Sequence, residues 1–493
     1  MSYTQIEISK GVTRHPDYRM VAPINFSLAK GETLAIYGPN GGGKSLFVDI
    51  LTGAHPLLGL GVRYNFGGKH NNRVADNVRL VSFRDVYGGN VPAYYQQRWN
   101  QADEQTFPTV GEVLLQAFNA WSGTKAEQFE DMLALLPYAE TLRTLGVLEH
   151  VEKPINLLSS GELRRMQLAR MLMSSPEVLI VDNPYIGLDV SARCMLTSVL
   201  ELLAQRLTLV LVVSRPDDIP PFVQSTVTVQ QKRVGEKQPL VQFMEQQLGD
   251  VSATFPEMAL PWRDEQQPDT TCSNVIDFHN INIRYGARTI LSDLNWTVRR
   301  GEHWALTGEN GSGKSTLLSL VCADNPQGYA CNIRLFGHQR GKGESIWDIK
   351  RHIGYVSPEI FSTYRKTLPA LDIVASGLHD TIGLYKHPTD EERRYCQQWL
   401  DVFGVSHLAE RNYMTLSMGE QRLVLLIRAF VKCPDLLILD EPFHGLDINN
   451  RSRAQRIIDL YMRHKGKTLI MVTHYENELP QCIDHCLVLK KHA

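Results

Sequence analysis

Two stretches of this 493-residue chain could grip a polyphosphate: Gly38-Pro39-Asn40-Gly41-Gly42-Gly43-Lys44-Ser45 and Gly308-Glu309-Asn310-Gly311-Ser312-Gly313-Lys314-Ser315-Thr316. Glycines let such a backbone curl so that several N–H groups converge on phosphate oxygens at the positive end of the helix that follows; the lysine adds a point charge, and the hydroxyl of Ser45 or Ser315 holds magnesium. One copy could be an ordinary glycine-rich turn. Two copies, each between an apolar strand-like run (Leu34 to Tyr37, Trp304 to Thr307) and a helical run, point to nucleotide binding at both.

Acidic residues follow at matching distances. Leu179-Ile180-Val181-Asp182 and Leu436-Leu437-Ile438-Leu439-Asp440 read as apolar strands ending in a carboxylate, at the strand end where open α/β sheets bind ligands. The next residue is Glu441 in the second copy and Asn183 in the first. A carboxylate can accept a proton and an amide cannot, so the two copies differ chemically at this place. Upstream stand Leu158-Ser159-Ser160-Gly161-Glu162 and Leu416-Ser417-Met418-Gly419-Glu420. Serine followed three residues later by glutamate, ahead of an apolar-periodic run, is a capping box at a helix start. Either motif alone would be a plain helix cap; its recurrence about twenty residues before both acidic strands argues for more.

These residues are held by an internal repeat. The phosphate loops are offset by 270 positions, as are Gly31-Glu32 and Gly301-Glu302, while the serine motifs and the strand aspartates are offset by 258. Apolar strands alternating with longer helical stretches are the mark of parallel α/β units buried on both faces. The predicted fold class is α/β, with two tandem P-loop domains over 1–232 and 275–493. Residues 233–274, rich in Gln, Pro and acidic side chains, are predicted to be a linker, with a helix around Pro239 to Leu248.

Composition narrows the partners. With 51 basic and 53 acidic side chains, nothing favours nucleic acid as a bulk electrostatic partner. The eight cysteines are scattered without a framework, as in a reducing compartment, so a cytoplasmic location is expected. Cys482, His485 and Cys486 could be packed groups or an incomplete metal cluster. No signal-like N-terminus and no apolar run of about 18 residues is present, so no direct membrane insertion is expected and any membrane role must come from a partner.

The chain resembles the ATP-binding-cassette (ABC) proteins, because these motifs occur in the family's order in both halves, with the serine motifs matching its signature. The resemblance implies that each lobe has a mixed sheet core and a helical subdomain, that the lobes pack head to tail, and that they close on ATP. Each ATP would lie between one lobe's phosphate loop and the other's signature. One site would use Lys314, Ser315, Asp440, Glu441 and His474 with Ser159 and Gly161. In the family's mechanism Asp440 supports Mg2+, Glu441 polarises the attacking water and His474 contacts the γ-phosphate. Tyr285, 23 residues before Gly308, matches the aromatic that stacks on adenine, unless it is a surface tyrosine. The other site would pair Lys44, Ser45 and Asp182 with Ser417 and Gly419. It departs from the pattern at Asn183, at Arg215 in place of the switch histidine, and at His15 in place of the stacking aromatic. The implied outcome is ATP bound there and turned over slowly. The family's coupling-loop glutamine has no clean match: Glu359 stands near it in the second half, and Gln96 or Gln97 is a candidate in the first.

The tandem halves, Asn183, Gly354-Tyr355-Val356-Ser357-Pro358-Glu359 and the run from Val472 to Pro480 look like the tandem ABC ATP-binding proteins associated with molybdate transport. That resemblance implies ATP hydrolysis serving an oxyanion importer, docked on a transmembrane permease at the cytoplasmic face of the inner membrane. A tandem ATPase of another importer is the nearest alternative. An ABC factor acting on ribosomes is a further one, disfavoured by a linker more acidic than basic and by the missing first glutamate.

Overall fold

Runs of Val, Ile and Leu that read as doubly buried strands become two parallel sheets, each with a phosphate-loop strand inside it. The computed structural model describes residues 3–59, 61–67, 73–82, 107–122, 124–158, 160–185, 188, 190–249, 259–262, 272–286, 288–384 and 386–491. One compact unit contains Met1–Ala253, and a second contains Thr254–His444 and Asn449–Ala493.

In the first unit the strands are β1 (Thr4–Gly11), β2 (Ile24–Ala29), β3 (Thr33–Tyr37), β4 (Val62–Tyr64), β5 (Val78–Ser82), β6 (Val178–Asp182), β7 (Thr208–Val213), β8 (Ser225–Gln230) and β9 (Arg233–Pro239). The main sheet has the order β5-β6-β7-β3-β8-β9, parallel except for β9, and β2-β1-β4 form a separate antiparallel sheet. The two-residue period of a strand divides its side chains between two cores. Leu34, Ile36, Val210 and Val212 face Phe47, Val48 and Leu51 of the helix Lys44–Leu51. Ala35, Leu209, Leu211 and Val213 face a helical layer carrying Leu114, Phe118, Leu168 and Leu172.

Strand β9 and the helix Leu240–Gly249 lie inside the stretch read from sequence as linker. The helix falls where the pattern placed it; the strand was not foreseen. It pairs with β8 through a two-residue turn, Gln231-Lys232, with φ of +51° and +56°. Such hairpin turns usually advertise themselves with Asn-Gly or Asp-Gly, and this one carries neither. Phe243 packs edge-on against Tyr37 at 5.0 Å, so the segment belongs to the first unit's core, which therefore extends beyond position 232.

The second unit contains β10 (Asn274–Tyr285), β11 (Arg288–Arg299), β12 (His303–Gly308), β13 (Asn332–Leu335), β14 (His338–Gln339), β15 (Ile353–Val356), β16 (Leu436–Asp440), β17 (Thr468–Val472) and β18 (His485–Leu489). Its parallel sheet runs β15-β16-β17-β12-β18, beside an antiparallel sheet β11-β10-β13-β14. Helices Ala370–Ala375, Asp390–Val402 and Met418–Phe430 form its helical layer, where Trp399, Phe403 and Phe430 cluster against Tyr461. Trp262, within the interdomain segment, stacks on His464 and Tyr461 of this unit at 4.2 and 5.0 Å.

Candidate active site

Both phosphate loops take the conformation their glycines permit. Gly43 and Gly313, immediately before the helices Lys44–Leu51 and Lys314–Val321, have φ of +103° and +98°. At Gly38 a Cβ would stand 2.0 Å from the carbonyl oxygen of Val229, so any side chain would collide with the neighbouring strand. Lys314 Nζ donates to the carbonyls of Gly308 (2.6 Å) and Glu309 (2.9 Å), and Lys44 Nζ donates to those of Gly38 (2.6 Å) and Pro39 (2.9 Å). Gly308, Asn310, Gly311, Gly313, Lys314, Ser315 and Thr316 thus share one turn and the first residues of its helix, as do Gly38, Asn40, Gly41, Gly43, Lys44 and Ser45. In the first unit the unforeseen hairpin braces this turn, since Lys232 N–H donates to the Gly42 carbonyl at 2.8 Å.

Pairing of β16 with β17 brings Asp440, Glu441 and His474 together in the second unit. Asp440 sits opposite Val472, and Glu441 N–H donates to the Val472 carbonyl at 2.9 Å, with Glu441 turned into the left-handed region at φ +49°. Its side chain is 11% exposed, with Oε1 3.0 Å from His474 Nε2 and Oε2 2.7 Å from His444 Nδ1. Burial alone would raise the Glu441 carboxyl; the imidazoles of His444 and His474 outweigh it and hold the group well below its usual range. Asp440 goes the other way. Burial, then the neighbouring Glu441 and Glu359 charges, push its carboxyl well above its usual range, with Lys314 opposing. Glu359 is on the helix Pro358–Thr363, so the residue near the glutamine position does lie close to the acidic pair.

The sequence does not mark out His444, since Glu441-Pro442-Phe443-His444 carries no recognisable pattern in a loop; its one signal is an imidazole three residues from Glu441. It is 3% exposed, and its Nε2 has no hydrogen-bond partner among the described residues. Its carbonyl accepts from Arg422 Nη1, on the helix Met418–Phe430 that opens at the signature. Burial pushes the Arg422 guanidinium down to about 10, against the pull of Glu441, and the group lies 4.9 Å over the Phe361 ring. Ser417 caps that helix as a capping box: Ser417 N–H donates to Glu420 Oε2 at 2.7 Å and Glu420 N–H to Ser417 Oγ at 3.4 Å. Gly419 follows in the first turn. Tyr285 ends β10, half-buried, with its hydroxyl accepting from Asn325 Nδ2 at 3.0 Å.

The first unit repeats the backbone with different side chains. Asn183 has φ +51°, and its N–H donates to the Val212 carbonyl at 2.8 Å, as Glu441 does to Val472. Its Nδ2 donates to Asp182 Oδ1 at 2.7 Å. The strand register corrects one sequence assignment. Val212 corresponds to Val472, so the counterpart of His474 is Ser214 and not Arg215. The offset between halves is 258 at β6 but 260 at β7, because the connection between these strands is two residues longer in the second unit. Ser214 Oγ donates to Asn40 Oδ1 at 3.4 Å, while Arg215 is buried with Asp217 at 3.9 Å. His15 instead accepts from Asp17 N–H and caps the short turn Pro16–Tyr18. Gly161 lies in the first turn of the helix Ser160–Leu172, and Glu162 pairs with Lys153 at 2.7 Å. Ser159, Gln96 and Gln97 lie outside the described residues. Near the C-terminus His485 stacks on Trp304 and pairs with Asp484, and all eight cysteines are free thiols.

The profile of the family described as ABC transporter matches residues 21–186 and 291–444. The chain is 35% identical to the ABC transporter ATP-binding protein ModF of Escherichia coli K12, over 98% of this chain and 96% of that one. It is 31% identical to an uncharacterized ABC transporter ATP-binding protein of Schizosaccharomyces pombe, over 94% and 93% of the two chains. Its fold is similar to that of an archaeal ribosome recycling factor, aABCE1, solved with the ribosomal stalk protein aP1, at TM-score 0.54 and 18% identity over 97% and 87% of the chains. With the family profile met in both halves, around both phosphate loops and both acidic strands, this chain belongs to the ABC transporter ATP-binding proteins and is an ATPase of tandem domains.

Proposed function

We propose that the chain is the ATP-hydrolysing subunit of an import system for molybdate or another oxyanion, working at the cytoplasmic face beside a transmembrane permease. The second unit turns ATP over and the first mainly holds it. The observation that carries the asymmetry is Glu441, buried and held by two imidazoles, against Asn183 on the same backbone in the other half. The permease is supported by the family and by the finding that, among the described residues, no helix is long and apolar enough to cross a membrane. The oxyanion rests on the resemblance to the molybdate-associated tandem proteins and on the likeness to ModF along nearly the whole chain.

Mg2+ fits the donor set. Burial and the Glu441 and Glu359 carboxylates press on Asp440 with Lys314 opposing, a surplus of negative charge a cation would relieve, and a hydroxyl and a carboxylate are the hard oxygen donors this cation prefers. Ser315 and Asp440 would hold it in the second unit, and Ser45 and Asp182 in the first. When bound it supplies charge neutralisation on the phosphates. Glu441, kept ionised by His474 and His444, accepts the proton of the attacking water. Lys314 leaves the loop carbonyls for the phosphates, Tyr285 stacks on the base, and the signature residues Ser159, Gly161, Ser417 and Gly419 complete the nucleotide contacts.

The test is steady-state hydrolysis by the full chain with Glu441→Gln. Turnover should fall on the order of 10² to 10⁴, while ATP binding persists and a closed, ATP-bound form accumulates. Comparable turnover in the variant would sink the assignment of the base. Added ribosomes should leave wild-type turnover unchanged; strong stimulation would overturn the transport reading. Loss of molybdate accumulation in cells lacking the chain tests the cargo separately.

A further inference from the structure

We propose that His444 is a positioning residue of the hydrolysis site, fixing the second oxygen of Glu441 so that the carboxylate meets water in one orientation. The proposal deepens the reading of Glu441 as the base and rests on it. A carboxylate can only accept when ionised, so His444 Nδ1 carries the proton in the 2.7 Å contact with Oε2. His474 meets the other oxygen at 3.0 Å. One contact would leave the group free to swing about its terminal bond; an imidazole against each oxygen fixes its plane. Proton abstraction depends on that placement, and an error of about 1 Å can cost on the order of 10² in rate.

The imidazole is itself held. It is 3% exposed, its carbonyl accepts from buried Arg422, and the guanidinium lies over Phe361, so displacement of the loop would strand a buried cation. Its Nε2 has no partner among the described residues, so the bond the structure gives this ring is the one to Glu441. The other half of the chain supplies an internal comparison. At the 258 offset of β6 and β16, Glu441 corresponds to Asn183 and His444 to Ile186; at the 260 offset of β7 and β17, His474 corresponds to Ser214. The base and both imidazoles are absent together, as expected of three groups that serve one task.

The experiment compares wild type, Glu441→Gln, His444→Ala, His444→Phe and His444→Asn in the full chain, reading kcat, KM for ATP, nucleotide affinity and thermal melting. His444→Ala and His444→Phe should lower kcat on the order of 10²-fold, with KM and affinity within about twofold of wild type. His444→Asn, whose amide nitrogen can stand where Nδ1 stood, should recover to within about tenfold of wild type. Adding His444→Ala to Glu441→Gln should slow the residual reaction no further. If His444→Ala fails to fold, slow Phe beside fast Asn still supports the proposal. Unchanged kcat in a folded Ala or Phe variant, equal impairment of Asn and Phe with KM rising in step, or further slowing of Glu441→Gln would each overturn it. Failure of Glu441→Gln to impair the wild-type chain would instead remove the base itself, a separate result.

Discussion

One peptide bond separates two carboxyl groups driven in opposite directions. Glu441 meets two imidazoles and stays ionised, while Asp440 meets burial and two other carboxylates and is pushed toward its protonated form. Neighbouring titratable groups pushed apart in this way mark the division of labour in a site. Tyr285 is the residue whose proposed role is easiest to isolate, because its hydroxyl has a partner of its own, Asn325, apart from the ring that would stack on the base. Tyr285→Phe keeps the ring and should bind ATP within about twofold of wild type, whereas Tyr285→Ala should weaken binding on the order of tenfold, measured by titration with a fluorescent ATP analogue. The phosphate-loop residues, Asp440, Glu441 and His474 were legible because each sits at a fixed place in a motif. His444 was not, since its partner is set by a loop's path, and Ser214 was not, since a two-residue change in length moved the alignment and only strand pairing could restore it.

The element that delivers Asp440 and Glu441 is β16, and its entry point is tied down by Asp435. His352 Nδ1 lies 2.8 Å from one Asp435 oxygen, and Arg300 Nη1 3.4 Å from the other. Burial opposes ionisation of Asp435, but His352, Arg300 and Lys467 outweigh it and lower the carboxyl below its usual value. A depressed folded value means that ionisation stabilises the fold above the unfolded-state pKa of about 3.9 and that this contribution is lost as pH falls through the folded value. Asp435→Asn should therefore destabilise by about 1–3 kcal/mol at neutral pH. Melting curves of wild type and variant should begin to converge below about pH 4 and meet only below the folded value; a gap that widened on acidification would refute this account. The parallel strands were legible from apolar runs bounded by turns. Strand β9 was not, because it is polar and exposed, and its Gln231-Lys232 turn lacks the residues that announce a hairpin.

Across the whole molecule, two intact phosphate loops accompany one complete set of base and imidazoles. The chain should bind two nucleotides and hydrolyse one, which equilibrium dialysis and single-turnover kinetics can separate. Asn183→Gln should change steady-state hydrolysis by less than about twofold, since no base is lost. The duplication that underlies this asymmetry was the plainest signal in the sequence, and the family likeness follows it in both halves. Glu441 and Asn183 also share a left-handed backbone, at φ +49° and +51°. Asparagine is among the few side chains this conformation accommodates readily, whereas for most others it costs roughly 1–2 kcal/mol. On the proposed reading, a gain of hydrolysis at the first site would need three coupled changes, a strained glutamate at Asn183 and histidines at Ile186 and Ser214, none useful without the others. Asn183→Glu alone should accordingly lower the melting temperature and add no measurable turnover to a Glu441→Gln background.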